Sequence, residues 1–508
     1  AHRFRHILVD EFQDTNRLQY RWLKLLAGAN SLLFAVGDDD QSIYRFRGAN
    51  VGNMADFEHD FNVQNVIRLE QNYRSHGNIL DAANALIANN KRRLGKNLWT
   101  AEGSGEPVRL YEATSDGYEA AWLVEEAQSL HRQGLAFRDM AILYRSNAQS
   151  RVLEHALFSQ GIAYRVYGGL RFFERLEVKH ALAYLRLVAN TDDDGAFLRV
   201  VNFPTRGIGA RSLEQLQEAA ASAGTSLYKA VPLVAGKAGA SLANFTRLIE
   251  DLKSETQGLP LSEVVDATLA RSGLVDHYKS ERDGADRVEN LAELVNAAAA
   301  FAQEEEIDND LAGFLSHASL ESGENQAAEG SDALQLMTVH SAKGLEFHVV
   351  FITGLEEGLF PHEQSVMEDD GLEEERRLMY VAITRARTRL YLLHAQTRML
   401  HGQTRYNVPS RFIDEIPEAL VKRLTPKAAS MGSRDAYVPA PAIDRASKKA
   451  DPGHGFRIGQ QVVHAKFGNG VIVDAEGSGT EARLQVNFGR SEEHTSELQS
   501  RLHLVCRL

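Results

Sequence analysis

The sequence predicts an α/β protein of several domains, interrupted by a helical insertion and followed by a small β module. Three observations carry this reading. Strands and helices alternate over residues 3–48, and strand signals recur around 107–167 and 334–394. Residues from about 170 to 330 read as almost pure helix. Short β runs separated by Gly-Asn-Gly and Gly-Ser-Gly occupy 457–489. The length of 508 residues agrees with about three domains at roughly 150 residues each.

Taken in order, the spacing predicts a strand over 4–10, a helix over about 16–28, a strand over 32–37 and then a Gly/Asp loop. This is the pattern of a parallel sheet, whose strands carry functional groups at their carboxyl ends. Further strands are expected at 65–69, 107–112, 139–144 and 162–167, each beside a helical stretch. In the helical region Leu182, Leu185, Leu187 and Val188 mark one apolar face, and 296–302 is rich in Ala. Strands resume at 334–339, 348–353 and 389–394. Residues 425–455, rich in Pro, Ala, Ser and charge, suit a flexible linker.

Composition narrows the function. Acids outnumber bases 69 to 56, so bulk charge does not drive nucleic-acid binding, although a local basic track still can. The lone cysteine, Cys506, excludes an internal disulfide framework and a cysteine-built zinc site, and points to a reducing compartment. No run approaches the ~18 apolar residues of a membrane span, and residues 1–8 do not resemble a signal peptide. A cytoplasmic protein without a membrane partner is the expectation. Because the chain opens inside the strand Phe4 to Val9 without an initiator Met, an upstream segment is expected. At the other end Arg490 to Ser500 resembles the in-frame translation of a sequencing-library adapter, so 490–508 is expected to stand outside the fold.

Two blocks carry chemistry. The apolar strand ending in Asp10-Glu11 presents one carboxylate suited to Mg²⁺ and a second able to polarise an attacking water. It continues as DEFQDTN, Asp10 to Asn16. The second block, VGDDDQSIYRFRGA from Val36 to Ala49, delivers acids, Gln41, and then aromatic residues interleaved with arginines. That interleaving suits single-stranded nucleic acid, where each stacked base contributes roughly 1–3 kcal/mol.

With their spacing, these blocks resemble the superfamily 1A DNA helicases of the UvrD/PcrA/Rep group. LEQNYRS (Leu69 to Ser75), TVHSAKGLEF (Thr338 to Phe347) and EEERRLMYVAITRAR (Glu373 to Arg387) follow in the family's order. The resemblance implies RecA-like (P-loop NTPase) motor domains, ATP and Mg²⁺ as cofactors, and single-stranded DNA and single/double-strand junctions as partners. It also implies a role in DNA repair and replication within a bacterial, nucleoid-associated cytoplasm. Residues 1–70 would be the C-terminal part of the first motor domain, 71–167 with 334–424 the second, and 168–333 the inserted helical domain. The linker would be 425–455. Residues 456–489 (KFGNGVIV, RLQVNF) resemble the family's Tudor-like module, a docking site whose implied partner is RNA polymerase.

Residue roles follow from the same resemblance. Asp10 would hold Mg²⁺ and Glu11 would activate water. Gln41 would sense the γ-phosphate, Tyr73 would stack on adenine, and Arg74 and Arg385 would act as arginine fingers in cis. Glu346 would contact the ribose. Tyr44, Phe46 and Arg47 would line one side of the DNA strand, with Asn147, His340 and His362 on the other. Phe46 stands where relatives often carry Trp, and His401 where a stacking aromatic is common. In NFPTRGIG, Arg206, Gly207 and Gly209 would meet duplex phosphates. His2, His6, His59, His131, His155 and His180 are expected to be structural.

The sequence contains no G-x-x-x-x-G-K-[ST] loop: Gly95-Lys96 is followed by Asn97, and Gly236-Lys237 by Ala238. Two classes therefore stay open. One is an ATP-driven 3′→5′ motor whose phosphate loop lies upstream, with the present chain itself inactive. The other is a non-catalytic DNA- or protein-binding fragment.

Overall fold

The computed structural model describes residues 4–27, 31–91, 93–282, 284–303, 310–323, 330–400, 403–425, 461–464, 468–476, 483–488 and 503–507. The strands in chain order are β1 (His6–Val9), β2 (Leu32–Ala35), β3 (Val108–Ser115), β4 (Met140–Tyr144), β5 (Tyr164–Val166), β6 (Leu334–Thr338) and β7 (Phe347–Ile352). They continue as β8 (Ala386–Leu400), β9 (Gln403–Tyr406), β10 (Val421–Arg423), β11 (Gln461–His464), β12 (Gly468–Glu476), β13 (Arg483–Phe488) and β14 (His503–Arg507). Two compact units emerge, one of 1–119 with 343–398 and 405–508, the other of 120–342 with 399–404. The units meet in the chain at 119/120 and 342/343.

In the first unit β1 and β2 pair in parallel, His6 opposite Leu32 and Val9 opposite Ala35. The two-residue period of a strand sends Ile7, Val9, Leu33 and Ala35 to one face. There they meet Phe12, Tyr20 and Leu23. Helix Arg17–Leu26 forms where Asn16 and Gln19 make a reciprocal capping box, and its Tyr20 and Leu23 turn inward. Phe12 locks the corner, lying 6.0 Å from the Tyr20 ring and 5.1 Å from that of Phe57. The opposite face of the two strands exposes Leu8, Leu32 and Phe34.

Four parallel strands of the same unit run in the order β10-β3-β8-β7. Against this sheet lies a buried ion cluster in which Arg398 reaches both Glu119 and Glu356. The expected strand at 65–69 does not form. Val66, Ile67 and Leu69 have the composition of a strand but lie exposed with no ladder partner among the described residues.

The second unit contains the parallel trio β5-β6-β4. Every residue of β4 is buried, as its unbroken apolar run requires. The expected helical stretch is present from Leu176 to Gly323. Its core gathers Tyr184, Leu185, Phe197, Phe245, Leu294 and Phe314 among others. No helix among the described residues is long and apolar enough to cross a membrane.

The antiparallel order β11-β12-β13-β14 forms the small module. The tail departs from expectation here, because His503–Arg507 pairs with β13, Cys506 opposite Leu484. An open strand edge accepts any extended segment through backbone hydrogen bonds, so pairing needs no side-chain specificity. Residues 490–502, the linker from 426 onward and His401 lie outside the described residues.

Candidate nucleotide and DNA sites

β1 ends at Val9, which puts Asp10 and Glu11 at its carboxyl end, both exposed. Glu11 adopts φ 50°, a left-handed conformation uncommon for a residue with a side chain. Its carboxylate accepts from Gln13 Nε2 at 2.6 Å and faces Lys343 Nζ at 3.1 Å. Lys343 also reaches Asp14 at 2.6 Å and the Gln41 carbonyl at 2.9 Å, and its ammonium lies 5.2 Å from the Tyr44 ring centre. One lysine thus links the Glu11 carboxylate, the Gln41 backbone and the ring of Tyr44. Burial raises Asp14 above the usual carboxylate range against the pull of Lys343.

After β2, Gly37 brings the chain against Gln13. A Cβ there would stand 2.8 Å from Gln13 Oε1, so only glycine fits unless that side chain moves. Gln41 Nε2 donates to Asp38 at 2.7 Å. The acids do not form an open cation cluster. Asp40 receives Arg93 through two 2.7 Å bonds, Asp39 accepts from the Leu94 amide at 2.8 Å, and Asp38 pairs with Lys96. Burial, then the neighbouring Asp40 charge, raises Asp39.

A second group gathers residues hundreds of positions apart. Arg74 Nε donates to Glu346 at 2.5 Å, and Arg387 stands 3.7 Å from the same carboxylate. The Arg74 bond holds Glu346 below the usual carboxylate range. Arg385 is only 2% exposed and donates to the carbonyls of Val381 at 3.0 Å and Leu345 at 3.1 Å and to Thr384 Oγ1 at 3.1 Å. Burial, then the Arg74 charge, lowers it to about 10, so it stays cationic at neutral pH. Beside Arg74, Tyr73 is 77% exposed and donates to Gln71 at 3.0 Å, leaving an open ring face.

For the expected DNA residues, the Tyr44 and Phe46 rings lie 6.0 Å apart with Arg47 over both, at 5.6 and 5.4 Å. Phe46 is exposed and so offers a stacking face. His362 precedes helix Glu363–Val366, its amide donating to Glu375 at 3.1 Å. In the other unit Asn147 opens a short 3-10 turn and its carbonyl accepts from Arg175 at 2.9 Å, while His340 follows β6, half-buried.

In the 202–209 turn Arg206 is held by its own surroundings. Its guanidinium donates to the carbonyls of Val200, Pro204 and Ser272 at 3.2, 3.0 and 2.8 Å, and it covers the rings of Tyr184 and Phe245. An arginine so engaged braces the turn. Gly207 takes φ 74°, whereas Gly209 has ordinary extended backbone; both are exposed. Asn202 closes the turn by accepting from the Arg206 and Ile208 amides at 2.8 and 3.0 Å. Asn202→Ala should cost about 1–3 kcal/mol by orphaning both amides, read as a lower urea midpoint. An unchanged midpoint would show that solvent replaces the side chain.

Lys343, Arg93 and Lys96 were not among the expected site residues: Lys343 lies within the TVHSAKGLEF block but gains its contacts only in the tertiary structure, and Arg93 and Lys96 sit in a stretch with no recognised motif.

Residues 1–62 match the UvrD/REP helicase N-terminal domain, 67–397 the UvrD-like helicase C-terminal domain, and 458–492 the PcrA/UvrD tudor domain. The chain is 50% identical to DNA helicase II of Escherichia coli over 498 residues, spanning 96% of this chain and 68% of that protein. It is 46% identical to DNA helicase II of Haemophilus influenzae and 42% to the ATP-dependent DNA helicase PcrA of Bacillus subtilis, with the same coverage of each. An α/β chain with these ordered blocks, a family match over most of its length and half its residues shared with such a relative belongs to the UvrD/PcrA-type DNA helicase family.

Proposed function

We propose that this chain is the larger part of an ATP-driven 3′→5′ helicase and translocase that acts on single-stranded DNA and single/double-strand junctions in repair and replication. The phosphate loop would lie upstream of Ala1. The observation that carries the reading is the convergence of Tyr73, Arg74, Glu346 and Arg385 from three sequence blocks. In this proposal 1–70 belongs to the first motor domain, 71–167 with 334–424 to the second, and 168–333 to the helical insertion. The terminal module would dock protein partners, RNA polymerase among them, in the bacterial cytoplasm.

The donor set fits the nucleotide in part. Tyr73 offers an exposed ring for the base, and Arg74 and Arg385 offer planar cations of the kind that neutralise a phosphoryl-transfer transition state. Asp10 supplies one exposed carboxylate for Mg²⁺, which when bound neutralises phosphate charge. Glu11 would orient water while Lys343 fixes its carboxylate, and Arg74 would leave Glu346 as phosphate oxygens arrive. Lys343 also contacts Tyr44, so a strand stacked there would act on the residue that holds Glu11.

A chimaera joining the uncovered third of the Escherichia coli relative to this chain tests the reading. It should unwind duplexes with a 3′ tail and not those with a 5′ tail; the reverse preference would sink the polarity. Within it Phe46→Ala should leave nucleotide binding intact and weaken strand affinity by roughly 1–3 kcal/mol. If affinity and unwinding are both unchanged, Phe46 serves packing alone. The second reading, a non-catalytic binding fragment, is favoured by the missing phosphate loop. It predicts strand binding by the 508-residue chain with no turnover in either setting.

A further inference from the structure

The helical unit holds a constellation that neither the nucleotide nor the DNA reading uses. His155 lies on helix Ser150–Ser159, while His317 and Glu321 lie on helix Leu311–Gly323. The spacing of four on the second helix puts both side chains on one face. His155 Nδ1 stands 2.6 Å from Glu321 Oε1, and His317 Nε2 stands 2.9 Å from the same oxygen. All three ligand atoms fall within 4.8 Å of one another.

Two imidazoles and one carboxylate suit zinc and its neighbours, whereas Mg²⁺ and Ca²⁺ prefer all-oxygen sets. In a tetrahedral site with bonds of about 2.0–2.2 Å, neighbouring ligand atoms stand roughly 3.3 Å apart. Opening the present separations by roughly 0.4–0.7 Å therefore admits an ion, a shift within reach of side-chain rotation. The Glu321 side chain is 6% exposed, but those of His155 and His317 are 32% and 22% exposed, which leaves a path from solvent. Arg171, the cation beside Glu321, donates to the backbone carbonyls of Glu321 and Ser322 and pairs with Glu174 at 3.0 Å. Its charge is thus balanced by a carboxylate outside the trio. Phe301, 5.3 Å from the His317 ring, supplies an apolar flank.

We propose that His155, His317 and Glu321 form a site for one divalent transition-metal ion of the zinc class. The ion fastens the last helix of the helical stretch to helix Ser150–Ser159, joining side chains up to 166 positions apart in sequence. Three protein ligands leave a fourth position for water.

The test uses the full chain, stripped with a chelator and titrated separately with Zn²⁺, Co²⁺ and Mg²⁺. The site should take up one equivalent of Zn²⁺ with a rise in melting temperature. Co²⁺ should give visible absorption from a four- or five-coordinate centre, and Mg²⁺ should do neither. His155→Ala and His317→Ala should each lose that equivalent and the Zn²⁺-dependent rise, while His59→Ala, at an exposed histidine of the other unit, should keep both. Because Glu321 is buried and its loss can disturb the helix, His155→Ala with an unchanged metal-free melt is the deciding variant. Uptake that is unaffected in His155→Ala and His317→Ala, or no Zn²⁺ bound by the parent chain at equimolar concentration, overturns the site and leaves a plain His–Glu–His hydrogen-bond cluster.

Discussion

Arg385→Ala, in the chimaera that completes the nucleotide site, is expected to lower ATP turnover by on the order of 10³-fold while single-stranded DNA binding persists. That magnitude is typical for loss of an arginine finger, which stabilises charge that develops only in the transition state. The structure adds a requirement. Arg385 is buried and bonded to the Val381 and Leu345 carbonyls, so its removal also strips structural hydrogen bonds. Arg385→Lys separates the two effects, since it keeps a cation but loses the planar fork. If the lysine variant melts like the parent and still loses turnover, the guanidinium acts on the phosphate. Turnover in Arg385→Ala comparable to the parent would remove Arg385 from the site.

Purified residues 1–489, tested alone, are expected to release no phosphate from ATP above background, with or without single-stranded DNA. In the proposed roles Glu11, Gln41, Arg74 and Arg385 would all act on a γ-phosphate that no G-x-x-x-x-G-K-[ST] loop in this sequence cradles. Phosphoryl transfer depends chiefly on positioning and charge stabilisation, so these groups cannot compensate for a missing cradle. Mg²⁺ binding should be weak as well, because such sites usually combine one or two carboxylates with substrate phosphates. The Arg74–Glu346 pair adds a competing partner, as each of two expected nucleotide ligands satisfies the other. Phosphate release stimulated by DNA at a motor-like rate would show that the nucleotide site lies elsewhere in the chain.

Local pattern was enough for much of this protein. Asn16 with Gln19 marks the start of a helix, the alternation in His6–Val9 marks a strand with one buried face, and the unbroken MAILY run marks a fully buried one. Asp10, Glu11, Tyr73 and Arg385 stood out because their blocks are contiguous, and contiguous residues keep their spacing whatever the fold. Where pairing depends on a distant partner, the same reasoning failed. Val66, Ile67 and Leu69 carry strand composition without a ladder neighbour among the described residues, and His503–Arg507 pairs along the edge that β13 offers. The carbonyls of Val200 and Ser272 that accept from Arg206, the latter 66 positions away, are likewise brought to it only by the fold. Lys343 gained its contacts with Glu11 and Asp14, and His155 its place beside His317 and Glu321, only through folding. Charge and hydrogen-bond partners act over a few ångströms in space, while a sequence records only distance along the chain. The sequence alone therefore determined which helices and strands could form and which contiguous motifs they carried, and the tertiary structure decided which side chains from separate segments meet.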